Sequence, residues 1–207
     1  MEKIENSLTE TIETTDLDAI NADLAEIVID SVLEEGLLKD LPIVNLIVGL
    51  GNFGSKIHKG IFLKKVLSFL SNLDSTSTEE RKKFVEKIER SETYNNKVGE
   101  ALLMILDKYS DLEKPKILGK LFKASIREEI SYQEFLRISS SLDKIHIPDL
   151  HFLKKINDGE NIDFFIKEEL YKAGFMNLTT FGNVKIDGSN EYYINEYGKK
   201  IIKITFE

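Results

Sequence analysis

The sequence contains no cysteine, which removes disulfide frameworks, thiolate zinc sites and thiol nucleophiles from consideration. It has no tryptophan, three prolines and three histidines, so imidazole chemistry has few places to reside. No apolar run approaches the roughly 18 residues of a membrane-spanning helix. The opening MEKIENSLTETIETTDLD lacks a basic start followed by an apolar core, so no secretory signal is expected. Acidic residues are missing from residues 41–73, which hold the four lysines Lys56, Lys59, Lys64 and Lys65.

What is present fits a water-soluble fold. In 207 residues, 42% are hydrophobic and 31% charged, enough for a large core without covalent staples. The net charge of −8 is uneven. Residues 1–40 carry 12 acids against 2 bases, whereas the rest carries 24 acids against 26 bases. An acidic leader thus precedes a basic, apolar segment, and the two should attract at low salt.

Hydrophobic spacing predicts a mainly α protein with about seven to eight helices. Residues 1–15 are polar and without period, and are expected to be a disordered acidic leader. A helix is expected from Asp16, with Leu17, Ile20, Leu24, Ile27, Val28 and Leu33 on one face and Gly36 as its stop. Residues 55–73 read as the next helix. Ser77 and Glu80 form a capping box before TEERKKFVEKIER. Further helices are expected from about Asn95 to Tyr109, from Pro115, after Ser131 with Glu134, from Pro148, and from Asn161 to a stop at Gly174. Beyond Gly174 the composition turns to Thr, Tyr, Phe, Ile and Asn. There NVKI and EYYI flank the hairpin signal Asp187-Gly188-Ser189-Asn190, and IIKITF reads as a third strand. The expected organisation is a leader (1–15), a helical domain (16–157) and a small α+β module (158–207).

The stretch LPIVNLIVGLGNFGSKI, residues 41–57, contains Gly49, Gly51 and Gly54 in a Gly-x-Gly-x-x-Gly pattern. A dinucleotide-binding reading needs a second parallel strand ending in an acid. Here VLSFLSNLD continues the helical period up to Asp74 instead. A Walker loop fails because no Gly-Lys-Ser/Thr closes the motif. LIVGLGNFG resembles the LIVGLGNPG opening of peptidyl-tRNA hydrolase over Leu46–Gly54. However, Phe53 stands where that family has proline, and its catalytic Asn-His pair has no counterpart, so that identity is rejected. A buried turn is the favoured reading, with residues 43–48 readable as strand or helix. Second comes a segment that inserts into an anionic membrane or a partner protein. Its contact residues would be Ile43, Val44, Leu46, Ile47, Val48, Leu50 and Phe53, with Lys56, Lys59, Lys64 and Lys65 as the basic flank.

Other candidates are weaker. His146, Asp149 and His151 lie too close together across Pro148 for the four-residue spacing of helical metal ligands. Ser139-Ser140-Ser141 has no nucleophile-elbow setting. Glu168 and Glu169 are adjacent, so they point to different sides of a helix. LYKAGFMN followed by YYINEYGKK resembles the last helix and wing of a winged-helix domain, carried by Leu170, Ala173, Gly174, Phe175, Tyr193, Asn195, Gly198 and Lys199. That family suggests nucleic-acid binding. Yet residues 151–207 hold 8 lysines, no arginine and 9 acids, a poor phosphate-binding surface. The LPIV-glycine stretch with FLKKVLSFL, KVGEALLMILDKYSD and KPKILGKLFKA also resembles a group of bacterial helical proteins with no assigned function.

The expectation is a non-enzymatic helical interaction or regulatory protein that binds a protein partner and uses no cofactor or metal. The alternatives are a membrane-active protein whose segment 41–73 is masked by the acidic N-terminal helix, and a nucleic-acid-binding regulator. The expected location is cytoplasmic, with peripheral attachment at the inner membrane face under the first alternative.

Overall fold

The computed structural model describes residues 2–17, 20, 38, 40–49, 56–92, 94, 97–179 and 192–206. Among these the protein is mainly helical, with one small antiparallel sheet near the C-terminus. Ten helices lie among the described residues: α1 (Glu2–Thr14), α2 (Pro42–Gly49), α3 (Lys56–Leu70), α4 (Thr78–Glu89), α5 (Val98–Lys108), α6 (Glu113–Ile126), α7 (Tyr132–Lys144), α8 (Ile147–Asn157), α9 (Phe164–Ala173) and α10 (Glu196–Phe206). Strands β1 (Met176–Leu178) and β2 (Tyr192–Ile194) pair with Met176 opposite Ile194 and Leu178 opposite Tyr192. The chain divides into two compact units, residues 1–132 and 133–207, where the sequence suggested a boundary at 157/158.

In the first unit, α1 packs against α2, α4 and α5, and α3 packs against α6. The expectation of a disordered leader over residues 1–15 is overturned. Leu8 and Ile12 recur four apart and are fully buried, and Thr11 is buried beside them. One narrow stripe suffices because three other helices cover it. Thr11 joins sequence-distant elements. Its Oγ1 donates to the Ser7 carbonyl (2.8 Å) and accepts the Ile43 N–H (3.1 Å). That N–H belongs to the first turn of α2, which has no intrahelical partner of its own. Leu41, just ahead of α2, has no side-chain oxygen to serve as a cap, so α1 supplies one. Pro42 suits the first helical position, where no N–H is needed. Residues 42–49 are therefore helix, which resolves the strand-or-helix ambiguity. The helix expected over 16–35 falls largely outside the described residues, although Leu17 and Ile20 are buried.

The capping box before α4 forms as its sequence implies. Glu80 N–H donates to Ser77 Oγ (3.2 Å), and Ser77 N–H donates to Glu80 Oε2 (2.8 Å). Helix α6 starts at Glu113, slightly before Pro115, because Asp111 Oδ1 accepts the Glu113 and Lys114 N–H groups (2.9 and 2.8 Å). A chain of rings then crosses the core. Phe122 meets Phe69 (centroids 5.7 Å apart) and Phe84 (5.4 Å), while Tyr132 meets Phe84 (6.0 Å) and Tyr94 (5.1 Å). Tilted and edge-on pairs of this kind contribute about 0.5–1.5 kcal/mol each beyond burial.

The Tyr132 hydroxyl is pushed up to about 12, first by burial and then by Tyr94 and Glu89. Its stabilising contribution is complete below the unfolded value of about 10. It is lost as pH rises from there, because the unfolded chain releases its proton first. Between pH 9.5 and 12 the wild type should therefore lose about 2 kcal/mol more stability than Tyr132→Phe, as measured by urea titration at each pH. Parallel curves for the two proteins would refute this.

In the second unit, α8 packs on α9 and α10, and the ribbon packs on α9. Helix α9 ends at Gly174, whose φ of +98° is a left-handed conformation that glycine adopts without strain. IIKITF is helix, not strand, which corrects the third-strand reading. Asn195 Oδ1 accepts the Gly198 N–H (2.9 Å) and so caps α10, and Gly198, Ile201 and Ile202 share its buried face. NVKI and the 187–190 turn lie outside the described residues. Among the described residues, β2 pairs with Met176–Leu178, which begins two residues after Gly174.

Candidate functional site

The described first half of the segment suspected as a contact surface, residues 41–49, turns one face into the interior. Ile43, Val44 and Ile47 are buried in the first unit, Leu46 is half-buried, and Val48 is exposed. Leu50 and Phe53 lie outside the described residues, as do Gly51 and Gly54 of the glycine pattern. Lys56 begins α3, and Lys59 and Lys64 are half-buried. Lys65 is buried, and its Nζ donates to the Asp107 carbonyl at the end of α5 (3.3 Å). This ammonium meets the negative end of a helix rather than a lipid surface. The described part of the segment thus behaves as a core helix covered by α1. Lys65 is drawn away from any surface that the basic flank presents.

The described residues contain no helix long and apolar enough to cross a membrane, and no group of three or more His, Asp or Glu side chains placed to hold a metal. His146 is exposed just ahead of α8, and the His151 ring lies against Phe206 (5.3 Å) rather than beside His146.

The second unit presents a surface that the sequence reading did not single out. Large apolar side chains exposed on the first unit, Val48, Ile61 and Met104, sit on three different helices. Singly exposed apolar residues are normal. On the second unit, by contrast, Phe164 (42% exposed), Phe165 (73%), Tyr171 (41%) and Tyr193 (51%) belong to α9 and β2 alone. Tyr192 bridges the two elements. Its ring lies 5.6 Å from Phe164 and 5.5 Å from Tyr171, and Phe164 in turn touches Phe165 (6.1 Å). The result is a continuous row of four rings.

Local sequence builds this row. Asp163 caps α9 by accepting the Phe165 N–H (2.8 Å), which places both phenylalanines in the first turn. Leu170 and Ala173 turn inward. Phe164, Glu168 and Tyr171 follow at four- and three-residue spacing, so they share the opposite, outward face. Strand alternation sends Tyr192 and Tyr193 to opposite sides of the ribbon. Tyr192 joins the row, while the Tyr193 hydroxyl lies near the Asn177 side chain (3.4 Å). Charged groups rim the rings. Lys172 Nζ pairs with both Glu168 (3.2 Å) and Glu169 (2.9 Å). The Tyr192 hydroxyl is held above its usual range, first by desolvation and then by the Glu168 charge.

The signal for this surface was the pair of doublets Phe164-Phe165 and Tyr192-Tyr193. In a strand doublet such as Tyr192-Tyr193, only one member can face a core. Compared with known proteins, the chain matches no family model, no curated protein and no solved structure.

Proposed function

We propose that this is a non-enzymatic interaction protein that docks a partner protein through the aromatic face of α9 and β2. The observation that carries this reading is the continuous exposed row Phe165–Phe164–Tyr192–Tyr171. Rings clustered inside a charged rim have the anatomy of a binding hot spot, where a few aromatic residues supply most of the affinity. Monomeric proteins rarely leave such a patch open without use.

The alternatives draw less support. A masked membrane segment would require α2 to leave α1 and expose Ile43, Val44 and Ile47. Their full burial is what an ordinary core helix has. For nucleic acid, α9 would carry the recognition residues in the winged-helix likeness. Its outward face bears Glu168, with the exposed Glu169 beside it, and carboxylates repel phosphate.

The test is affinity capture from cells that make the protein, using the wild-type chain and Phe165→Ser. Phe165 is the most exposed of the rings, so its loss leaves the fold intact. Partner affinity should fall roughly 30-fold, the cost of truncating a hot-spot aromatic. Equal retention of every partner by both chains would sink the reading.

A further inference from the structure

We propose that the aromatic row takes a positively charged segment of the partner, with an arginine side chain seated against Phe164, Tyr192 and Tyr171 and paired with Glu168. This rests on the docking reading above and adds the chemistry of the occupant.

Charge complementarity selects it. Glu168 lies on the same helical face as Phe164 and Tyr171, one turn from each, and its charge reaches Tyr192. A carboxylate therefore stands on the same face as the ring row, at its rim. Among the described residues of α9 and its cap, the three carboxylates Asp163, Glu168 and Glu169 stand against the two ammonium groups of Lys167 and Lys172, which leaves one negative charge in excess beside the rings. Ring faces are themselves negative and attract cations. An anionic segment would be repelled twice. A purely apolar segment would cover Glu168 without a new counter-ion, which is costly.

A cation is already present there in Lys172. Its pairing with Glu168 is solvent-exposed and weak, the side chains being 55% and 34% exposed. An incoming guanidinium displaces it, because a planar guanidinium stacks on rings and bonds a carboxylate in two places, whereas an ammonium does neither well. Lys172 thus acts as an internal competitor, and its removal should strengthen binding.

The experiment is a random-peptide phage selection on the full chain, counter-selected on the double variant Phe165→Ser/Tyr171→Ser after its circular dichroism has been checked. The expected result is ring-dependent peptides with a shared arginine. Replacing that arginine by uncharged citrulline, or Glu168 by Gln, should weaken binding about tenfold, and Lys172→Ala should tighten it several-fold. Ring-dependent peptides without a basic residue would overturn this inference and leave the docking reading standing. Failure to select any ring-dependent peptide would overturn both. Should the double variant misfold, Glu168→Gln alone decides: unchanged affinity for arginine peptides refutes the pairing.

Discussion

Replacing Arg81 with Met is expected to cost the first unit about 4 kcal/mol and to loosen α1 before any other helix. Arg81 is only 1% exposed, although it sits in the charged run TEERKK. Its Nε donates to the Ile12 carbonyl (2.6 Å). One terminal nitrogen bonds the Thr76 carbonyl and the Thr76 hydroxyl, and the other bonds the Thr15 carbonyl. Carbonyls at the end of α1 have no intrahelical donor, and they form the negative pole of that helix. A guanidinium there satisfies several acceptors and meets the pole with a full charge. Methionine fills much of the space and donates nothing, so several buried carbonyls lose their partners at once. Charge-assisted bonds are worth roughly 1.5–3 kcal/mol each and are not additive, which brings the total to about 4. Arg81→Lys should recover only part, since one ammonium cannot span the same fork of acceptors. Urea unfolding gives the magnitude, and hydrogen exchange over residues 4–14 gives the location. A loss below 1 kcal/mol, or uniform exchange across the unit, would show that Arg81 does not hold α1.

The second large effect is expected at Gly119. On propensity alone, Gly119→Ala in the middle of α6 should stabilise by about 1 kcal/mol. The packing predicts the opposite sign. A methyl there would fall against the Phe69 backbone carbonyl and 2.7 Å from Asn72 Cβ, so α3 and α6 would have to separate. Overpacking of this kind costs typically 1–3 kcal/mol and more where backbone blocks relaxation. The net expectation is a loss of about 2 kcal/mol. Gly99→Ala should behave alike, since its methyl would meet the Glu5 carbonyl and the Thr9 hydroxyl of α1. Gly49→Ala is the control: nothing lies within 4 Å, so stability should hold or rise slightly. Comparison of the three denaturation midpoints tests this directly. Stabilisation at Gly119 would mean that α3 and α6 do not cross at this distance.

Glycine and arginine were legible in the sequence as types but not as roles. Gly99 and Gly119 lie inside helices, where propensity counts against glycine, and they mark close helix crossings. Arg81 stands in the charged run TEERKK, and it is among the most buried side chains. In each case the deciding neighbour lies far along the chain: Ile12 for Arg81, Glu5 for Gly99 and Phe69 for Gly119. The candidate surface was hidden for a related reason. A phenylalanine or tyrosine carries the same apolar signal whether it faces a core or solvent.

The sequence by itself determined what depends on near neighbours. Helical period placed α3 to α9 to within a few residues, the Ser77–Glu80 box set the start of α4, and Gly174 set the end of α9. These features use groups within about one turn, so the pattern carries their energetics. Tertiary structure alone decided that the acidic N-terminus is a packed helix, that the apolar glycine-flanked stretch begins as an interior helix, that the last segment is helix rather than strand, and that the rings of α9 and β2 stay outside. Each of those outcomes rests on which face a distant element covers. Burial of one face is a property of the pair that meets there, and neither segment's own sequence contains its partner.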